Sequence, residues 1–250
     1  MDADGQMRAK LGEAVAGEDR GLAAADRLCR ACVELLGVDG AAVSFMHDGA
    51  SRGTFGSSGD LSRRLDDYQF TFGEGPCLEA VREGRPVLVP DLRVTTEGRW
   101  PAFAEAVLAQ GVCAVFALPV TIATRQIGAL DLFRHQAGDL TVADLQGGLL
   151  AAELAALPLL DLFSADTDWT RAGQGGDGWS ALATLGRVEV YQATGMLIDQ
   201  LGVGATEALA RLRAHAFSEG VTASEVAWAI VEGRLRLTPD DGPLNLGELS

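Results

Sequence analysis

Only one lysine, Lys10, stands among twenty basic residues, and those twenty face thirty-five acidic ones, for a formal net charge of −15. That balance excludes a protein that coats a polyanion by bulk charge, because such binding needs a surplus of Lys and Arg. Four cysteines are too few for a disulfide scaffold, and Cys29–Cys32 is the only Cys-x-x-Cys pair, so no doubled pair frames a zinc site. The three histidines, His47, His135 and His215, are scattered, and no phosphate loop ending in Lys-Ser/Thr exists. The chain is therefore expected to be no enzyme, with no catalytic residues, metal or cofactor. Long apolar runs are also lacking. Leu149 to Leu160 is about a dozen residues, carries Glu153 and Pro158, and falls short of a membrane span. The acidic start Met1-Asp2-Ala3-Asp4 has no apolar core of a signal peptide. A cytoplasmic protein with no membrane contact is expected.

What is present fits a globular chain: 48% hydrophobic and 22% charged residues over 250 positions suit two domains. The run from Ser164 to Gly178 is small and polar with four glycines, which predicts a flexible linker over 163–178; Trp169 within it has no assignment. The last stretch, 238–250, contains Pro239 and Pro243 and reads as a disordered tail. The charge is uneven. Residues 1–162 carry a net −9, the linker −2, residues 179–237 only −1, and the tail −3.

Residues 1–162 alternate strand and helix signals. A helix is expected over Leu22–Leu36, with Leu28, Cys32 and Leu35 on one side, then a strand over Ala41–His47 and a hairpin through Asp48-Gly49 into Ser51–Gly56. Further helices are expected over Cys77–Glu83, Pro101–Gln110 and Val142–Leu160, and strands over Val87–Val89, Ala114–Val120 and Ile127–Phe133. Strands joined by hairpins, with helices on one face, predict an α+β sandwich around an antiparallel sheet.

In order and spacing, Gly73-Glu74-Gly75-Pro76-Cys77, Gly84-Arg85-Pro86-Val87, Pro90-Asp91-Leu92, Arg99-Trp100-Pro101, Gly111-Val112, Leu118-Pro119 and Ile127-Gly128-Ala129-Leu130-Asp131-Leu132 resemble a GAF domain. The resemblance implies a sensory module whose sheet and covering helices enclose a small-molecule pocket, and which often dimerises through terminal helices. Candidate pocket residues are Phe45, Phe72, Cys77, Trp100, Phe103 and Phe116, with Phe55 beside them, although each also suits a core. Cys77 opens a helix, where the dipole favours a thiolate, and Cys77 with Cys113 is the one plausible thiol pair across the domain. Cys29 and Cys32 lie inside an apolar helical run and suit small buried hydrophobes.

From Trp179 to Leu237 the chain reads as an all-α bundle of three helices. Val190, Ala193, Leu197 and Leu201 stripe the first, over about Ser180–Leu201, and Gly202 ends it. Ala208, Leu209, Leu212 and Ala216 stripe the second, closed by Gly220; Thr222-Ala223-Ser224-Glu225 is a capping box for the third. Gly195 sits inside the first helix, where Gly costs roughly 1 kcal/mol against Ala. With Ala193, it suggests close approach of a packed helix or a ligand.

Arg187, Gln192-Ala193-Thr194-Gly195-Met196-Leu197, Gln200-Leu201-Gly202-Val203, Glu207-Ala208, Leu212-Arg213-Ala214, Ala216-Phe217, Val226-Ala227 and Ile230-Val231 resemble the ANTAR domain, a three-helix RNA-binding module of bacterial antiterminators. The resemblance implies a signal-responsive regulator that grips paired stem-loops in nascent RNA and prevents a terminator from forming. Many members carry Lys where Thr194 stands, and Arg or Asn near Val221. The expected RNA-contacting residues are Arg187, Tyr191, Gln192, Thr194, Arg211, Arg213 and His215. Arg211, Arg213 and His215 are expected to form a local positive strip along one helix, and Tyr191 to stack on a base. Five Arg against six carboxylates predict weak, salt-sensitive binding that needs two copies of the domain, hence a homodimer. Two other readings stay open at this point: an ANTAR domain used only for dimerisation or protein docking, and a cysteine-dependent reductase of the GAF fold.

Overall fold

Five strands, β1 (Gly40–His47), β2 (Ala50–Ser57), β3 (Val87–Val89), β4 (Ala114–Ile122) and β5 (Arg125–Arg134), are hydrogen-bonded in the order β2-β1-β5-β4-β3, each neighbouring pair antiparallel. They belong to a computed structural model that describes residues 3–17, 21–47, 50–94, 98–164 and 187–238. The chain divides into one unit up to residue 186 and a second from Arg187 onward. The Asp48-Gly49 turn, nearly all of the expected linker with Trp169, and the tail beyond Thr238 lie outside the described residues.

The strand pattern decides which side chains face which layer, because successive residues point to opposite faces. Val43, Phe45, Phe116, Leu118, Leu130 and Leu132 pack on one side with α1 (Ala3–Val15), α2 (Leu22–Leu35) and α6 (Val142–Ser164). Ala42, Val115, Ala117 and Phe133 face the other side, with α3 (Asp60–Phe72), α4 (Pro76–Glu83) and α5 (Pro101–Ala109). Helices therefore cover both faces of the sheet, not one as the sequence suggested. The expected helices themselves divide, α2 and α6 on one face and α4 and α5 on the other, and α1 and α3, which the sequence reading did not assign, add one helix to each. In α3 the buried side includes Ser62, Asp66, Gln69 and Thr71 as well as Leu65 and Tyr68, so its inward face is largely polar.

The helix α6 contains a 19-residue stretch, Val142–Leu160, of mean hydropathy 1.3, which corrects the expectation that no stretch reaches membrane-span length. Its Ala151, Ala152, Ala155, Ala156 and Leu159 nevertheless belong to the core against the sheet, as in a core helix.

The second unit comprises α7 (Val188–Leu201), α8 (Ala205–Glu219) and α9 (Ala223–Val231). The sequence placed the start of α7 near Ser180; the helix begins after Arg187, its N-cap. Gly202 and Gly220 end α7 and α8 in the left-handed conformation that a side chain disfavours. Thr222 Oγ1 accepts from the Glu225 N–H at 3.2 Å while Glu225 Oε2 accepts from the Thr222 N–H at 2.8 Å, completing the capping box. Val190, Ala193, Leu197, Ala208, Leu212, Ala216, Val226, Ala227 and Ile230 form the buried faces.

Candidate functional site

In the first unit, a polar cluster lies under α3 and α4. Asp131 is on the central strand, paired with Ala42 on one side and Ala117 on the other. Those two methyl side chains leave the space above the carboxylate to residues from the helices. Gln69 of α3 donates from Nε2 to Asp131 Oδ2 at 2.7 Å, and its Oε1 accepts from the Cys77 N–H at 2.8 Å. Asp66, one helical turn before Gln69, accepts from the hydroxyls of Ser44 and Thr54. Burial first, and then the Asp66 charge, push the Asp131 carboxyl well above its usual range; hydrogen bonds from Gln69 and Cys77 oppose the rise. Sequence reasoning missed Asp66, Gln69 and Asp131 as site residues. The available signal was Leu61, Leu65, Tyr68 and Phe72, whose intervals of three and four mark a helix.

Two motifs of the first resemblance make contacts elsewhere in the same layer of helices. Glu74 Oε1 accepts from the N–H groups of Ala102 and Phe103 at 2.8 and 3.0 Å, satisfying the start of α5. Arg99 forms an ion pair with Glu79 and lies over the Trp100 ring, 4.3 Å from its centroid.

The expected pocket residues do not come together. Trp100 and Phe103 are buried with the α3–α5 layer, Phe72 packs against that layer and stacks on Tyr68 with ring centroids 5.6 Å apart, and Cys77 is buried beside Met46 and Ala129. Phe45, Phe55 and Phe116 face the opposite layer, so the set cannot line one pocket. All four cysteines are free thiols. Cys29 and Cys32 are fully buried in α2; burial pushes the Cys29 thiol up and lifts Cys32 to about 12.

In the second unit the expected RNA-contacting residues separate into groups. Tyr191 and Gln192 are exposed on α7, on the same side as Gly195. A Cβ on Gly195 would meet nothing within 4 Å, so the close-packing explanation fails there, whereas Ala193 is fully buried against neighbouring helices. Thr194 is buried, and its hydroxyl donates to the Val190 carbonyl at 2.6 Å, which turns it away from any ligand. Arg187 is buried at the start of α7. Arg213 is half-buried; burial and then the neighbouring Arg187 charge lower its pKa, and Tyr191 opposes this.

Arg211, Arg213 and His215 do not form one strip. Residues two apart on a helix point to opposite flanks. Arg213 lies toward Arg187 and Tyr191, while Arg211 pairs with Glu207 one turn earlier at 2.7 Å. His215 is half-buried, one turn after Arg211.

A family model described as GAF domain matches residues 23–157, and one described as ANTAR domain matches residues 182–231. No curated protein matches the chain. Among solved structures, the GAF domain of an Acinetobacter phosphoenolpyruvate-protein phosphotransferase is 11% identical, with 67% of this chain and 99% of that one covered and a TM-score of 0.52. The corresponding GAF domain from Coxiella burnetii is 15% identical, with 67% and 100% covered and a TM-score of 0.51. A free methionine-R-sulfoxide reductase from Neisseria meningitidis is 18% identical, with 63% and 89% covered and a TM-score of 0.46.

Proposed function

This chain belongs to the GAF domain family and carries an ANTAR domain behind it, and from that premise we propose that it is a signal-responsive antitermination regulator that binds paired stem-loops in nascent RNA. The GAF unit takes the signal, a small molecule or ion, and the ANTAR unit contacts the transcript. The protein works in the cytoplasm as a homodimer, with domains over 1–162 and 179–237 joined by the segment between them.

The observation that carries this reading is the face of α7 with Tyr191, Gln192 and Gly195 open to solvent. Arg213, which feels the charge of Arg187 and the Tyr191 ring, offers a planar guanidinium fork that suits a phosphate. Tyr191 offers a ring for stacking, and Gly195 lets a nucleic-acid backbone approach the helix. The Glu207 ion pair weighs against Arg211 in this role, and the Val190 hydrogen bond against Thr194.

The test is filter binding of the full chain to RNA with two tandem stem-loops, at several salt concentrations. The reading requires retention at low salt that falls as salt rises and that a single stem-loop reproduces poorly. Absence of retention at any salt concentration overturns it and leaves an ANTAR bundle that only dimerises or docks a protein.

A further inference from the structure

Asp66 on α3, Cys77 in the first turn of α4 and Asp131 on β5 each bring one metal-ligating atom within 4.8 Å of the other two, and all three residues are buried. A second observation at the same place points to a ligand. Asp131, which solvent does not reach, has an oxygen, Oδ1, with no hydrogen-bond partner. Buried acceptors in folded proteins are nearly always satisfied, and an orphan beside other ligating atoms marks a place for a species that is not protein.

We propose that Asp66, Cys77 and Asp131 bind one divalent first-row transition ion, of the iron(II) or zinc(II) class. The donor set selects the class: a thiolate disfavours magnesium and calcium, which take oxygen ligands, and two carboxylates disfavour copper(I). Ligands about 2.0–2.3 Å from a tetrahedral ion lie about 3.3–3.8 Å from one another, so a spacing within 4.8 Å closes on an ion with a contraction of at most about 1–1.5 Å. The surrounding bonds suit the role. Gln69 fixes Asp131 Oδ2 and the Cys77 N–H, and Ser44 and Thr54 donate to Asp66, the kind of outer partners that orient metal ligands.

Three protein ligands leave a coordination position open to water or a small exogenous ligand. The ion, or what binds at that position, would then be the signal of the sensory unit. That last assignment rests on the regulatory reading; metal binding itself does not.

The experiment strips the reduced, full-length chain with a chelator and titrates it with cobalt(II) under anaerobic conditions. One cobalt per chain is expected, with a thiolate-to-cobalt charge-transfer band in the near ultraviolet that zinc(II) displaces. Cys77→Ser abolishes the band and Cys113→Ser retains it, while Gln69→Leu weakens binding by about 10- to 100-fold. A folded wild-type chain without the band, or a band that survives Cys77→Ser, overturns the proposal. The wild-type titration decides even where a variant fails to fold. Cobalt binding without RNA binding would sink the RNA reading alone, and the converse would sink the metal site alone.

Discussion

Gln69 Nε2 donates to Asp131 Oδ2 at 2.7 Å, joining the inward face of α3 to the central strand through two side chains that solvent does not reach. The same amide accepts from the Cys77 N–H through Oε1. One residue thus links α3, α4 and β5. In the metal-free chain, Gln69→Leu leaves a buried carboxylate oxygen and a buried N–H without partners, at about 1–3 kcal/mol each. Urea denaturation should show a loss of about 2–4 kcal/mol, and a loss below 0.5 kcal/mol would contradict this account.

The Cys32 thiol carries a pH signature. Burial lifts it from 9.0 to about 12. The folded chain holds this proton more tightly than the unfolded chain, so the contribution to stability is complete below pH 9. It declines as pH rises from 9 toward 12, by about 1.4 kcal/mol per unit. Cys32→Ala has no such proton. The stability gap between wild type and Cys32→Ala, measured by urea unfolding, should narrow by about 1 kcal/mol between pH 8 and pH 10. A constant gap would mean that the thiol ionises normally.

Much of the sheet was legible because its strands are short apolar runs between turn signals, as in Ala114–Val120, buried nearly throughout, and because Gly, Pro and capping residues mark the ends of helices. The capping box at Thr222–Glu225 and the buried stripes of the last three helices emerged as expected. The inward side of α3 was hidden because Asp66 and Gln69 occupy positions where periodicity looks for apolar residues, and their partners come from β1, β2, β5 and α4. Nothing local announces such a cluster. The ordered GAF-like motifs were visible, but not the work of each residue in them: Glu74 caps α5 and Arg99 lies between Glu79 and Trp100, whereas Cys77 and Asp131 enter the buried polar cluster. The aromatic residues were assigned together by type, although strand parity places Phe45 and Phe116 on the face opposite Phe103.

Gly195 separates a structural cost from a binding role. It lies in the middle of α7 with open space at its Cβ position, so Gly195→Ala should stabilise the second unit by roughly 0.5–1 kcal/mol. Thermal denaturation checks this. If RNA approaches the helix here, the same substitution weakens RNA binding while raising the melting temperature. Unchanged RNA affinity in the stabilised variant would remove Gly195 from the interface.

Two arginines two positions apart on α8 should behave differently toward RNA. Arg213 lies with Arg187 and Tyr191, whereas Glu207 already neutralises Arg211 at 2.7 Å. Replacing a residue that neutralises a phosphate lowers affinity across sequences and reduces the salt slope by about one. Arg213→Ala should therefore weaken binding to tandem stem-loops and flatten the salt dependence, while Arg211→Ala changes both little, because the exposed ion pair it loses contributes only about 0.3–0.5 kcal/mol. Circular dichroism of each variant separates loss of contact from loss of fold, since Arg213 is also partly buried. If Arg211→Ala has the larger effect on the salt slope, the contact surface lies on the opposite flank of α8, with His215, and the α7 face is not the one that meets RNA.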